Sequence, residues 1–113
     1  MKLLVIDDEP DLLEVMSEIL RRHGHNVTAV STARAGSLAL CFDPPYDLAI
    51  VDGLAGDGLG LLEEAKAYGV PAILYSSMDD TVDEARSNGH RALLKSGNIP
   101  DLLAMLESPV AAR

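Results

Sequence analysis

The sequence predicts an α/β fold, in which a doubly wound parallel sheet of five strands carries helices on both faces. Short apolar runs recur along the chain, as expected for strands that are buried on both faces. Amphipathic stretches alternate with these runs, and the connections are short, without a linker or a repeat. A chain of 113 residues with 48% hydrophobic residues suits one domain with a real core. We assign residues 1–108 to this domain and 109–113 to a short tail or the start of a linker.

The first strand and helix are predicted from a run of apolar residues and a helical stripe. Residues 3–6 form the run, which acidic residues end. Residues 11–23 then place apolar side chains at helical spacing. Pro10 suits a first turn and Gly24 a helix end. The predicted apolar stripe of this helix consists of Leu12, Val15, Met16, Ile19 and Leu20.

The middle elements follow from β-branched residues, caps and breakers. Residues 26–30 form a weak strand, and Ser31 or Thr32 caps an Ala-rich helix over 33–42. Pro44 and Pro45 end that helix. Residues 47–52 form a clear strand, and a Gly-rich loop leads from it into a helix over 59–68.

The last four elements alternate in the same way. Residues 72–75 are an apolar strand that ends in Ser76 and Ser77, and 79–87 are a short polar helix that stops near Gly89. Residues 91–94 form the last strand, which ends at Lys95. Pro100 starts a final helix through Glu107, with an apolar stripe of Leu102, Leu103 and Leu106.

The charge balance excludes several classes of function. Eighteen acidic against nine basic residues give a net charge of -9, which repels phosphate backbones and anionic lipids. Direct binding to nucleic acid or membrane is therefore not expected. The single Cys41 cannot form an internal disulfide, and no Cys/His spacing fits zinc. No run reaches membrane-spanning or secretory length, so we expect a cytoplasmic protein.

Polar side chains stand at the carboxyl ends of the predicted strands, where ligands bind in such sheets. They are Asp7, Asp8, Asp52, Ser76 and Lys95. Crowded carboxylates repel one another, and a hard divalent cation with oxygen ligands, Mg²⁺, relieves that repulsion. A carboxylate can also attack phosphorus, while a lysine and a hydroxyl suit the transferred phosphoryl group.

At this point the chain resembles the receiver domains of two-component response regulators over essentially its whole length. The resemblance rests on residues 5–10, 50–52, 60–62, 71–76 and 89–95. It implies the flavodoxin-like strand order 2-1-3-4-5 and an Mg²⁺-dependent signalling switch. Such a domain accepts phosphate from a histidine kinase or a phosphotransfer protein. It is not an enzyme beyond its own phosphorylation and dephosphorylation, and homodimer formation stays open.

The resemblance also implies a role for each site residue. Asp52 corresponds to the phosphoacceptor, and Lys95 to the lysine that pairs with the acceptor and then with the phosphate. Asp8 corresponds to a direct magnesium ligand and Asp7 to one acting through water. Leu54 corresponds to the residue that offers its main-chain carbonyl to the metal, and Ser76 to the switch hydroxyl, preferred over its neighbour Ser77.

Four positions depart from the family pattern. Gly56 stands where Pro is usual, and Ser77 where Ala is typical. Ser96 replaces a cis-forming Pro, and a non-proline peptide prefers trans by roughly 2.5–4 kcal/mol. Ala92 occupies the position of the aromatic switch and has no ring to swing inward. The segment from Ser76 to Lys95 is also short.

These departures keep a second function open, a receiver-like docking module with weak or no phosphorylation-driven switching. A flavodoxin-like electron carrier is disfavoured because residues 7–11 would repel a flavin phosphate. A haloacid-dehalogenase-like phosphatase fails on the spacing of its aspartates.

Other residues receive structural interpretations. Asp57 is read as a solvated loop acid, and Cys41 as a core residue that packs with Leu38 and Phe42. The three histidines, His23, His25 and His90, are expected at the surface.

Overall fold

The computed structural model describes residues 1–42, 45–95 and 99–106. Pro44, Ser96, Glu107 and the predicted tail over 109–113 lie outside the described residues. The strands are β1 (Lys2–Ile6), β2 (Asn26–Val30), β3 (Leu48–Val51), β4 (Ala72–Ser76) and β5 (Arg91–Leu94). The helices are α1 (Pro10–Arg22), α2 (Ala33–Phe42), α3 (Asp57–Ala67), α4 (Asp79–Ser87) and α5 (Ile99–Leu106), and a short 3₁₀ turn spans Leu54–Gly56.

All strand pairs are parallel, and the strand order is β2-β1-β3-β4-β5. This confirms the predicted fold class and order. In each pair, neighbouring strands end at the same edge, so the residues that follow β1, β3, β4 and β5 meet there. Successive strands are added in one direction from β1 to β2 and in the other direction from β3 to β5. The topological switch point of the sheet therefore lies between β1 and β3 at this edge.

Each face of the sheet carries its own apolar core. Leu3, Val5 and Ile50 face α1 and α5, whereas Leu4, Ile6 and Val51 face α2, α3 and α4. The side chains of β1 are fully buried on both faces, from Leu3 to Ile6. Because alternate side chains are buried on opposite faces of the sheet, the sequences of these strands are continuous apolar runs.

Two expectations about helix faces were wrong. In α1 the buried residues are Leu13, Met16, Ser17 and Leu20. Val15 points away from them and is 53% exposed, because the spacing i, i+3, i+4, i+7 that packs on the sheet starts at Leu13.

The second correction concerns α2, where Gly36 and Leu40 face the core. Gly36 lies so close to β1 that an added Cβ would stand 2.6 Å from Cδ1 of Ile6. Cys41, Leu38 and Phe42 lie on the opposite side and are exposed. Cys41 is therefore not a core residue.

The helix boundaries also settle open points. Thr32 is the capping residue of α2, because its Oγ1 accepts a hydrogen bond of 3.0 Å from the Ala35 amide. Helix α3 begins at Asp57, two residues earlier than expected, so Asp57 is an exposed first-turn residue.

His90 is half-buried, and its Nε2 lies 2.5 Å from Oε2 of Glu63. Among the described residues, no helix is both long and apolar enough to cross a membrane.

Candidate functional site

Three carboxylates meet at the carboxyl edge of the sheet. Asp7 and Asp8 follow β1, and Asp52 follows β3. One oxygen of each lies within 4.8 Å of the others. The main chain fixes this arrangement, because the Asp52 amide donates to Ile6 O at 2.8 Å and the Asp7 amide donates to Val30 O at 3.1 Å.

Lys95 joins two of these carboxylates. Its Nζ donates to Asp7 Oδ2 at 2.6 Å and to Asp52 Oδ1 at 2.8 Å. The Lys95 side chain is 7% exposed and that of Asp7 only 1%. Short, buried, charge-assisted bonds of this kind are strong. The pairing with Asp7 was not foreseen from the sequence, where the family role joined Lys95 to the acceptor alone.

The pKa of Lys95 is raised by this arrangement. Burial alone would lower it, but the hydrogen bonds and negative charges of Asp52 and Asp7 outweigh that effect. Lys95 is therefore a fixed cation at neutral pH.

Asp8 is the exposed member of the acidic group. Its pKa is raised by partial desolvation, then by its hydrogen bond with Asp52 and the charges of Asp52 and Asp7. A cation that neutralises the neighbouring carboxylates would stabilise the ionised form of such a side chain. Hard oxygen ligands grouped in this way fit Mg²⁺, and the residues present could hold it.

Ser76 ends β4 beside residues 53–56, which we call the acceptor loop after the role that the family resemblance implies for Asp52. It is 2% exposed, and its Oγ accepts a hydrogen bond of 3.1 Å from the Met78 amide. A Cβ added to Gly53, the residue after Asp52, would lie 3.1 Å from this Oγ. Ser77 is exposed, so burial and closeness to the acceptor loop both favour Ser76 as the hydroxyl of the site.

The acceptor loop has an unusual backbone at Leu54. Its φ of 50° lies in the left-handed region, which costs a residue with a Cβ about 1 kcal/mol or more. The Leu54 amide faces Asp52 Oδ2 at 3.4 Å, and its carbonyl accepts the Asp57 amide. Since a carbonyl has two lone pairs, it retains capacity for a further ligand.

A cavity of about 320 Å³ opens beside Asp52. Glu9, Met78 and Thr81 line it together with Ser76 and the acceptor loop. Sequence reasoning missed these three. Glu9 belongs to the acidic segment that resembles the family, over residues 5–10. Thr81 lines the cavity only because α4 begins shortly after β4 ends. Asp52, whose side chain is 13% exposed, also lines this cavity.

Comparisons with known proteins relate the chain to response regulators. No protein-family model matches the chain. The transcriptional regulatory protein ZraR of Escherichia coli K12 is 28% identical over 116 residues, covering 96% of this chain and 26% of ZraR. The two-component response regulator EHD1 of Oryza sativa subsp. indica is 32% identical over 85 residues, covering 72% of this chain and 25% of EHD1. The chain thus spans about a quarter of the length of these curated relatives.

Among solved structures, the response regulator TrrA of Thermotoga maritima, in complex with Mg²⁺ and BeF, superposes with a TM-score of 0.81. It is 26% identical, and the alignment covers 96% of this chain and 97% of TrrA.

Proposed function

Because the chain is a receiver domain of the response regulator type, we propose that it is a phosphorylation switch of a cytoplasmic two-component relay. Asp52 accepts the phosphoryl group from a phosphohistidine of a histidine kinase or phosphotransfer protein, with Mg²⁺ as cofactor. The observation that carries this proposal is the Lys95 bridge between Asp52 and Asp7, with Asp8 beside it. A lysine buried against a partly exposed carboxylate supplies charge where phosphoryl oxygens would arrive.

The chain's own residues account for the transfer step. An Asp52 oxygen attacks phosphorus, the new O–P bond forms, and the P–N bond of the phosphohistidine breaks. The imidazole leaves with the bonding electron pair and takes up a proton from solvent. Lys95 then compensates the added negative charge, and the Ser76 hydroxyl can donate to a phosphoryl oxygen.

The acidic group would hold the metal. Asp8, Asp52 and the Leu54 carbonyl are the proposed direct ligands, and Asp7 acts through water. Bound Mg²⁺ would neutralise the carboxylates and the phosphoryl oxygens. Loss of the phosphoryl group to water restores the Asp52 carboxylate, so the signal is reversible.

Phosphorylation with acetyl phosphate and Mg²⁺, followed by intact mass measurement, tests the proposal. The wild type should gain one phosphoryl mass, and Asp52→Asn should gain none. Asp57→Asn is the matched control, because Asp57 is an exposed acid five positions further along the chain. Equal labelling of wild type and Asp52→Asn would refute the acceptor assignment.

A second candidate, a docking module with little phosphorylation-driven switching, is favoured by one residue. Ala92 is 4% exposed and belongs to the core that faces α4, so no ring is available to follow Ser76. Amide hydrogen exchange with and without beryllofluoride and Mg²⁺ separates the two candidates. Slower exchange in α4 and β5 on beryllofluoride binding supports the switch, and an effect confined to the acceptor loop supports the docking module.

A further inference from the structure

A buried tyrosine lies beside Lys95 on the face of the sheet that carries α1 and α5. Tyr75 belongs to β4, directly before Ser76, and is 3% exposed. Nζ of Lys95 lies over its ring, 5.7 Å from the ring centroid. A cation at this distance from the face of a ring is attracted by the ring, most strongly where water is excluded. The Tyr75 ring is therefore a third contact of Lys95, in addition to the two carboxylates.

The register of the sheet brings these two side chains together. Tyr75 is paired with Leu93 of β5, and Leu93 packs against the same core. The Lys95 amide donates to Ser76 O at 2.8 Å, so the parallel pairing of β4 and β5 continues to Lys95. Because side chains alternate between the two faces of a sheet, Lys95, two residues after Leu93, leaves the main chain on the same face as Tyr75. The contact is thus a consequence of the backbone.

The ring limits the positions that the lysine ammonium group can take. A lysine side chain is a flexible four-carbon stem, and the hydrogen bonds from Nζ to Asp7 and Asp52 fix only its end. A buried ring 5.7 Å from Nζ occupies space into which the ammonium group could otherwise move. We infer that Tyr75 is a positioning residue, whose ring holds the Lys95 ammonium group where it bridges Asp7 and Asp52.

The consequence of this inference for phosphoryl transfer rests on the proposed function. During transfer, Lys95 exchanges a carboxylate oxygen for a phosphoryl oxygen, and a misplacement of about 1 Å can slow a reaction about a hundredfold. The attraction to a ring face does not require a hydrogen bond, so the ring can hold Lys95 through this exchange. Ala92, at the position of the family's aromatic switch, supplies no ring, whereas Tyr75 supplies an aromatic contact from β4.

Three substitutions separate the effect of the ring from the general cost of losing a buried tyrosine. Tyr75→Phe keeps the ring, and Tyr75→Leu removes it but leaves an apolar side chain. Tyr46→Leu is the matched control, because Tyr46 is also buried and Nζ of Lys2 lies 4.6 Å from its ring centroid. Tyr46 precedes β3, at the opposite edge of the sheet from Lys95. Circular dichroism establishes that the variants are folded, and Tyr75→Met, with a side chain that adapts to irregular space, replaces Tyr75→Leu if that variant is not.

Urea denaturation of Tyr75→Leu, Lys95→Met and the double variant measures the contact without a phosphoryl donor. The effect of Tyr75→Leu on the unfolding equilibrium constant should be about fivefold smaller when Lys95→Met is already present, as expected for a buried cation–π contact. The same cycle with Tyr46→Leu should show a coupling of no more than about twofold. An effect of Tyr75→Leu that is equal in both backgrounds would overturn the inference.

The rate of labelling by acetyl phosphate and Mg²⁺ measures the consequence for transfer. Tyr75→Leu should be labelled about tenfold more slowly than the wild type, because Lys95 loses one of its three contacts. Tyr75→Phe and Tyr46→Leu should stay within about twofold of the wild type. Equal rates for Tyr75→Leu and Tyr75→Phe would contradict a role of the ring in transfer. A wild type that is not labelled at all would refute the proposed function, and the urea cycle would still decide whether Tyr75 positions Lys95.

Discussion

At the scale of single residues, Lys95 decides the stability of the metal-free site. It stands between two carboxylates, of which Asp7 is 1% exposed. Removing one partner of a buried ion pair is costly because the remaining charge has lost its compensation. The lysine is thus a structural cation as well as a proposed participant in phosphoryl transfer.

Replacement of Lys95 by methionine should lower the free energy of unfolding by about 3 kcal/mol in the absence of divalent cations. Urea denaturation measures the effect. Adding Asp7→Asn to Lys95→Met should recover part of the loss, since it removes the stranded carboxylate. Lys66→Met, at an exposed position of α3, should change stability by no more than about 0.5 kcal/mol, and a loss as large as that of Lys95→Met would contradict this account.

Replacement of Asp8 should have the opposite effect on the free energy of unfolding. Its pKa is raised above the ordinary value of 3.8, so the folded protein favours the protonated form, and stability is lost as pH rises from 3.8 through the folded pKa. Without divalent cations at pH 7, Asp8→Asn should therefore raise the free energy of unfolding. Because Asp8 is exposed, the gain should stay below about 1 kcal/mol.

Thermal melts in EDTA at several pH values measure this gain, which should disappear below pH 3.8, where the side chain is neutral in both states. Asp11→Asn is the comparison, because Asp11 lies in the first turn of α1 and favours the helix dipole. It should lower stability. A loss of stability in Asp8→Asn would argue against repulsion within the acidic group.

At the scale of elements, the close approach of α3 to the end of β3 depends on Gly58. A Cβ at this position would overlap the main-chain carbonyl oxygen of Asp52, and the Gly58 amide donates to Gly53 O at 3.0 Å. The first turn of α3 can therefore lie against the end of β3 only without a side chain here.

Two glycine-to-alanine changes in α3 should consequently have opposite effects. Gly58→Ala should destabilise the protein by about 1–3 kcal/mol through overlap with main-chain atoms. Gly60→Ala, where the added methyl group meets no neighbour, should stabilise it by about 0.5–1 kcal/mol. Chemical denaturation of both variants measures the difference, and equal effects would show that packing against Asp52 does not limit this helix.

The elements also show how far sequence reasoning reached. Strands were predicted well because a continuous apolar run can satisfy two buried faces at once, as residues 3–6 do. Helix faces were harder. Helix α2 has apolar residues around most of its circumference, so periodicity could not select Gly36 and Leu40 as its buried side, and Phe42 was placed wrongly in a packing face.

Some features of the site could likewise be predicted from the sequence, and others could not. The rule that ligands gather at the carboxyl ends of strands brought Asp7, Asp52 and Lys95 to one edge without any side-chain detail. Contacts that depend on rotamers, such as the bond from Lys95 to Asp7, leave no mark in the sequence. Nor does the entry of Thr81 into the cavity, which follows from the path of the chain between β4 and α4.

At the scale of the whole molecule, the excess of acidic residues should make stability depend on salt. Added NaCl should raise the melting temperature by screening the repulsion within a chain of net charge -9. MgCl₂ at the same ionic strength should raise it further, because an ion that binds only the folded state stabilises it by mass action. In Asp8→Asn the two salts should act alike, and a wild type that does not distinguish them would contradict a magnesium site at the acidic group.

The Lys95 bridge also has a consequence during synthesis on the ribosome. Lys95 lies 43 positions after Asp52 and 88 after Asp7, directly after the last strand, β5. A nascent or truncated chain that stops before β5 contains Asp52, the proposed acceptor, but not its counter-charge. The pocket around Asp52 is thus completed only when nearly the whole domain has been translated and folded, and an unfinished copy cannot assemble it.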